Sequence, residues 1–535
     1  MKLVKGVDKT IFGVAAILFV LLFAFILIFP DAAYNSITAA MNYTYSDLGW
    51  VYLLVYAAAL CVCIFLGISK YGKIKLGEPD DKPQYSTMSW IGMLMGAGIG
   101  CGLVFYGVNE PVTHFVTAPF TDPETAAAAR DAMRLTMLHW GFLPWGIYTI
   151  TGLCMGWFMY KRGLPNLISS TLYPMLGDRV SQWQGKIIDI FAIIAVVCGV
   201  AMSTGFAGVQ FMTGLNGQYS VPNTTMMQIA AIVAFCAIGT FTAVKGVEKG
   251  IKVVSDINLY LIYIILAFAI VFGSTMFIFK TALQTLGDVV FNTPWEMIYT
   301  DSFGQTTETL GWDWVGGWTV FYWAWWGAFA PFTGGFLAKI SRGRTLKQFC
   351  LACIFVPTII CFLWYSALGG NAIQDTLTGV STVALDAAAN KEMSLFLYLK
   401  ELPLSVVTIP VAIVLIVTLI VTSINSATYC LSDFSMGHKG GESPFIIRLF
   451  WGAFVAIFSV LFLAIGGLQT LQNTAMVFAF PLIVIIGLMI VNLVKDVRVI
   501  YEEEEAAGIY DKKRLPAEEV KPAAEEAVAA ESAEA

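Results

Sequence analysis

Charge is scarce in this chain. Of 535 residues, only 13% are Asp, Glu, Lys or Arg, about half the share of a soluble domain. Histidine is scarcer still, with three residues. That shortage excludes a nucleic-acid binder, which needs a basic face, and a disordered chain, which needs charge in place of apolar bulk. No Gly-Lys-Ser/Thr follows a glycine run, so no nucleotide loop is expected. No His, Cys, Asp or Glu set has metal-ligand spacing, and no nucleophile has a base partner, so the sequence offers no enzyme chemistry. Nine of the ten cysteines lie within apolar stretches and Cys430 ends one. They read as small apolar fillers, not a disulfide framework.

What remains is apolar. The hydrophobic share is 58% and the mean hydropathy +0.73. Hydrocarbon about 30 Å thick takes about 20 apolar residues per helix. Twelve stretches meet that length, near 10–29, 51–68, 90–108, 139–160, 188–206, 226–244, 255–279, 314–340, 349–368, 404–423, 449–465 and 474–494. An all-α membrane protein embedded in the lipid bilayer is expected. With the amino terminus inside, 26 Lys and Arg fall on cytoplasmic segments and five outside. Both termini are therefore expected in the cytoplasm. The net charge of −6 belongs to the tail: eleven acidic and four basic residues follow from Tyr501 onward. This segment reads as solvated, and anionic lipid would repel it.

Two spans depart from the Leu/Ile/Val pattern. In the third, Gly96-Ala97-Gly98-Ile99-Gly100-Cys101-Gly102 puts glycine at every second position. Each glycine costs a helix about 0.8–1.0 kcal/mol against Ala, so the helix is expected to unwind there or approach a neighbour closely. The eighth carries four tryptophans between Trp318 and Trp326, then Pro331, Gly334 and Gly335. Proline removes a donor in mid-helix, so a second break is expected. Interrupted helices at matching places in spans 3–7 and 8–12 suggest two five-helix repeats of opposite topology, a pointer to a transporter site. Freed N–H groups hold a carboxylate and freed C=O groups a small cation. The path between them offers Trp140, Trp145, Tyr148, Trp325 and Trp326 instead of acidic side chains. Ring faces bind quaternary ammonium ions, which donate no hydrogen bonds. At the end of span 10, Thr422-Ser423-Ile424-Asn425-Ser426 places hydroxyls suited to sodium, or to bonding back to the helix.

These motifs resemble the betaine/carnitine/choline transporter family. The resemblance covers about residues 86–494. It is carried by Gly98-Ile-Gly-Cys-Gly-Leu-Val-Phe-Tyr-Gly107 with Glu110-Pro111, by His139-Trp140 with Trp145 and Tyr148, by Lys245-Gly-Val-Glu-Lys-Gly250, and by Trp318 to Trp326 with Ile340-Ser-Arg-Gly-Arg344. It implies twelve transmembrane helices with a LeuT-like inverted five-plus-five core and two extra N-terminal helices, usually as a homotrimer. The layout is then a cytoplasmic N-terminus (1–9), two N-terminal helices with their loop (10–89), a first repeat (90–280), an outside connection (281–313), a second repeat (314–495) and an acidic cytoplasmic tail (496–535).

The resemblance implies a prokaryotic inner-membrane importer of a trimethylammonium zwitterion, with carnitine or a sulfonium analogue as alternatives. Trp140, Trp145, Tyr148 and Trp326 look like its aromatic box, and Trp325 and Phe329 flank the path. The backbone of Gly98, Gly100 and Gly102 would approach the substrate carboxylate. Choline carriers of the family tend to have Asp where Gly102 stands, which favours a zwitterion. Sodium as coupling ion would be held by Thr422 and Ser423 with carbonyls of Gly96, Ile99 and Leu419. A second sodium would involve Ser203, Thr204, Phe332 and Phe336. Thr333 and Asn258 differ from the sodium-independent exchangers of the family, whereas Asn425 matches them, so a precursor/product exchanger stays open.

Overall fold

The computed structural model describes residues 6–244, 248–439 and 441–510. Lys245 to Val247 of the 245–250 motif and the tail beyond Tyr510 lie outside the described residues. Among the described residues there are twenty α-helices. The first ten are α1 (Lys9–Ile28), α2 (Pro30–Ser46), α3 (Gly49–Ile68), α4 (Thr87–Gly98), α5 (Cys101–Val116), α6 (Ala126–Trp140), α7 (Phe142–Lys161), α8 (Tyr173–Leu176), α9 (Trp183–Tyr219) and α10 (Thr225–Val244). There follow α11 (Glu248–Phe272), α12 (Thr275–Glu296), α13 (Gln305–Leu310), α14 (Phe321–Ile340), α15 (Leu346–Tyr365), α16 (Asn371–Leu377), α17 (Val383–Ala389), α18 (Ser394–Glu401), α19 (Ser405–Phe434) and α20 (Phe445–Ala506). Among the described residues the only β pairing is one bridge, Lys75 with Thr345. Among the described residues eight helices are long and apolar enough to cross a membrane, or nine if α4 and α5 form one bent span.

Helix starts follow ordinary capping chemistry. Asp8 accepts from the amides of Thr10 (2.9 Å) and Ile11 (3.2 Å) at the head of α1 and pairs with Lys186 (2.9 Å). Thr345 and Gln348 close a capping box on α15. Between α12 and α13, Asp301 accepts from Tyr299 and from the amides and hydroxyls of Thr306 and Thr307. Burial pushes its carboxyl up, but these bonds prevail and hold it at about 2.

The glycine run does unwind. Helix α4 ends at Gly98, Ile99 and Gly100 are extended, and α5 leaves at 69°. The eighth span does not break at Pro331, contrary to expectation. Helix α14 runs through it, and the irregularity is a π-helical turn over Val315–Val320. Tyr56 braces this segment by donating to the Trp323 carbonyl (2.6 Å) and stacking on its ring (4.4 Å). Gly334 is there for contact: a Cβ would lie 2.8 Å from the Gly152 amide on α7. The fourth span also starts later than the sequence suggests. His139 and Trp140 end α6, and the chain turns at Gly141, where a Cβ would sit 2.5 Å from the Met137 carbonyl. Helix α20 joins the last two expected spans across a kink at Gly466 and Gly467.

Beyond the spans, α12 packs on α6 through Arg130–Asp288 and Arg134–Glu296 pairs. The far end of α20 is tied to α7. Asp496 accepts from the Trp157 indole (2.8 Å) and from Arg162 (2.7 Å), and all but 6% of Asp496 is buried. Asp496→Ala strands an indole N–H and a partly buried guanidinium, at a cost of about 2 kcal/mol. The expected result is a fall of a few degrees in the thermal midpoint of the detergent-solubilised protein; an unchanged midpoint would remove this tie.

Candidate functional site

The break between α4 and α5 builds one wall of a cavity. Ile99 donates to the Met95 carbonyl (3.1 Å) and closes α4. Gly100 leads into α5 with no side-chain cap. Leu103 donates to the Gly100 carbonyl (3.2 Å), and the amides of Cys101 and Gly102 before it carry the positive end of the α5 dipole, a ready site for an anion. Gly98, Gly100, Cys101, Gly102 and Leu103 line the cavity on this side. Opposite stand Trp140 of α6, Tyr148 of α7, Ser203 of α9, Trp325, Trp326 and Phe329 of α14, and Ser423 of α19.

Trp140 and Tyr148 sit edge to face against Trp326, and Trp145 is tilted to it. The Trp326 centroid is 5.1 Å from that of Trp140, 5.2 Å from Tyr148 and 6.2 Å from Trp145. Trp145 is also 5.8 Å from Tyr148. The space between these rings is small, and it offers a bulky cation several π surfaces at once. Trp325 is pinned by its indole N–H to the Ser203 hydroxyl (2.9 Å), and the Cys101 thiol meets the Ser203 carbonyl (3.3 Å).

The glycines make room for these rings. A Cβ on Gly98 would collide with the Trp145 ring. One on Gly102 would lie 2.5 Å from Trp325 and 3.0 Å from Trp140. Gly100 has nothing within 4 Å of such an atom. An aspartate at 102 would thus displace the box rings.

The expected cation ligands divide. On one turn of α19, Thr422 and Ser423 both donate to the Leu419 carbonyl, at 2.9 and 3.0 Å. Asn258 of α11 donates to the Thr422 hydroxyl at 3.2 Å. These three neutral oxygens are the donor type a hard monovalent cation takes. Ile99 lies at the exit of α4, and Ser423 shares the cavity with Gly98 and Gly100. Gly96 packs its Cα face toward Ser255. Of the second set, the Ser203 hydroxyl is engaged by Trp325, and Thr204 donates to its own helix at Val200 (2.7 Å). Phe332 is buried against Phe329 (4.9 Å), and Phe336 is 37% exposed.

One group was missed by the sequence reading, which expected no His/Glu cluster. Glu110 on α5 is fully buried. One carboxylate oxygen lies 2.7 Å from His139 Nδ1; the other accepts from the Trp140 indole (2.6 Å) and from the Tyr322 hydroxyl. His139 Nε2 meets the Thr319 hydroxyl at 3.0 Å. The network is satisfied when Nδ1–H donates to Glu110 and Thr319 donates to Nε2. His114, one turn along α5, approaches Glu110 at 3.5 Å. The ligand atoms of Glu110, His114 and His139 all lie within 4.8 Å of one another. A carboxylate in an apolar run was the signal available, since ionisable residues inside spans mark function.

A family model described as betaine/carnitine/choline family transporter matches residues 10–501. The glycine betaine transporter of Bacillus subtilis (strain 168) is 38% identical over 490 residues, 91% of this chain and 94% of that one. A probable glycine betaine transporter of Desulfitobacterium hafniense is 36% identical over 505 residues, 92% of this chain and 99% of that protein. The high-affinity choline transport protein of Escherichia coli (strain K12) is 31% identical over 509 residues, 94% of this chain and 74% of its own length.

The contrast between neighbouring glycines is testable. Gly98→Ala forces Trp145 to move, an overpacking cost of roughly 1–3 kcal/mol. Its near-ultraviolet circular dichroism should change, while Gly100→Ala should match the unsubstituted protein. Identical spectra for both would contradict the packing described.

Proposed function

The chain belongs to the betaine/carnitine/choline family of membrane transporters, and on that premise we propose that it imports a trimethylammonium zwitterion of the glycine betaine type. It is a transporter and not an enzyme. The observation that carries the substrate reading is one cavity with two unlike walls: aromatic rings from α6, α7 and α14, and the uncapped first turn of α5. The rings suit the methylated ammonium, and the amides suit the carboxylate. Crowding at Gly102 supports a ligand that brings its own acid over one that needs an aspartate at that position.

Transport is by alternating access in this reading, with sodium as the coupling ion. Leu419, Thr422 and Ser423 would hold sodium, with Gly96 and Ile99 supplying carbonyls. Bound there, sodium would add a positive charge beside the unwound segment. Ser423 reaches both the cation turn and the substrate cavity, so ordering α19 orders the cavity wall. Asn425, which donates to Thr242 (2.8 Å), keeps a sodium-independent precursor/product exchanger as the alternative.

The finer architecture is proposed on the same footing. The kink in α20 divides it into two spans, and α4 with α5 makes one interrupted span. Helices α7 and α14 are spans whose glycine and aromatic content lowers their hydropathy. With α1, α3, α9, α10, α11, α15 and α19 the count is twelve, compatible with an inverted five-plus-five core. Both termini lie in the cytoplasm of a bacterial inner-membrane protein on the Lys/Arg bias. A homotrimer is the assembly expected from the resemblance.

Proteoliposome uptake of labelled glycine betaine tests the reading. An inward sodium gradient should drive accumulation. Uptake indifferent to sodium but dependent on internal substrate would favour the exchanger, and no uptake would remove the substrate class. Trp326→Ala should raise the half-saturating concentration at least about tenfold, given roughly 2 kcal/mol per desolvated cation–π contact; an unchanged value would take Trp326 out of the site.

A further inference from the structure

We propose that Glu110 supplies the negative charge that draws the substrate's cation into the aromatic box, acting through the indole of Trp140. It is a positioning and specificity-determining residue that does not touch the ligand. The inference rests on the transport reading above and adds a group that reading does not use.

Glu110 sits behind the box. Its carboxylate holds the Trp140 indole N–H at 2.6 Å, and the Trp140 ring lines the cavity. The two polar neighbours on the same side are the Tyr322 hydroxyl and His139 Nδ1. Trp140 can only donate, so the oxygen it meets is an acceptor. Among the described residues, its ion-pair partners are two histidines, His139 and His114, with no Lys or Arg. A neutral histidine brings no charge. Ionised, as the proposal requires, the Glu110 carboxylate has no full countercharge among these partners, a costly arrangement that a positive group nearby relieves. A quaternary ammonium on a face of the Trp140 ring is such a group.

Two effects act in the same direction. Across a dry interior the carboxylate attracts the cation directly. The N–H bond to an anion also pushes electron density into the indole, which makes the ring face a better partner for positive charge. Tyr322 and His139 fix the carboxylate, and Thr319 fixes His139 in turn. Helices α5, α6 and α14 are thereby held in register around the ring that faces the ligand.

The test compares two ligands of one shape in nanodisc-embedded protein. Glycine betaine carries the ammonium; 3,3-dimethylbutanoate has carbon in its place and no positive charge. In Glu110→Gln, glycine betaine affinity should fall roughly tenfold or more, while that of 3,3-dimethylbutanoate changes by less than about twofold. Glu110→Asp should keep the preference for the cation even if both ligands bind more weakly. If Glu110→Gln does not yield folded protein, Trp140→Phe serves: it keeps a ring but removes the N–H bond, and the preference ratio should drop. Equal weakening of both ligands, or an unmoved ratio, would overturn the proposal. Unsubstituted protein that does not bind glycine betaine would overturn the transport reading along with it.

Discussion

The Glu110 carboxylate is the contact on which the arrangement of the site depends. It is made by a helix that exists as a separate piece only because the chain unwinds at Ile99 and Gly100. From α5 it reaches His139 and Trp140 on α6 and Tyr322 on α14. Three helices are thereby joined by one buried acid at the back of the cavity. Charge is scarce in this sequence, and the structure gives that scarcity a sharper meaning. One of the few buried acids holds the indole N–H of a ring that lines the cavity.

The helix break and the rings solve complementary problems. Unwinding exposes amides at the start of α5, and the dipole of that half-helix attracts an anion. Removing Cβ atoms at Gly98 and Gly102 lets Trp145, Trp140 and Trp325 close over the same segment. A side chain at either position would meet an indole. The run of glycines thus serves backbone geometry and ring packing together, which explains why its members differ. Gly100 takes an extended conformation open to other residues and has free space beside it.

Much of this was legible from composition and spacing. Alternating glycines announced the break, because each costs a helix about 1 kcal/mol against Ala and four fall within seven residues. The tryptophan-rich segment announced a ring cluster, because four indoles between Trp318 and Trp326 exceed what a lipid belt requires. Other features were not legible, for physical reasons. Proline at 331 suggested a break, but a helix packed on both sides tolerates it, with Tyr56 bracing the turn above and Gly152 meeting Gly334 below. Aromatic content concealed where α6 ends, since Trp140 reads as the start of a span although Gly141 turns the chain. Glu110 escaped because its partners are 29, 30 and 212 residues away, and no local pattern encodes such contacts.

The account turns on a cation held by rings that a buried acid keeps in place. A structure of the protein in a lipid nanodisc with glycine betaine bound measures this directly. The account predicts the trimethylammonium group within about 6 Å of the Trp140, Trp326 and Tyr148 ring centroids, the ligand carboxylate at the first amides of α5, and Glu110 still accepting from Trp140. A ligand seated away from these rings, or a Trp140 indole released from Glu110 when the ligand binds, would contradict it.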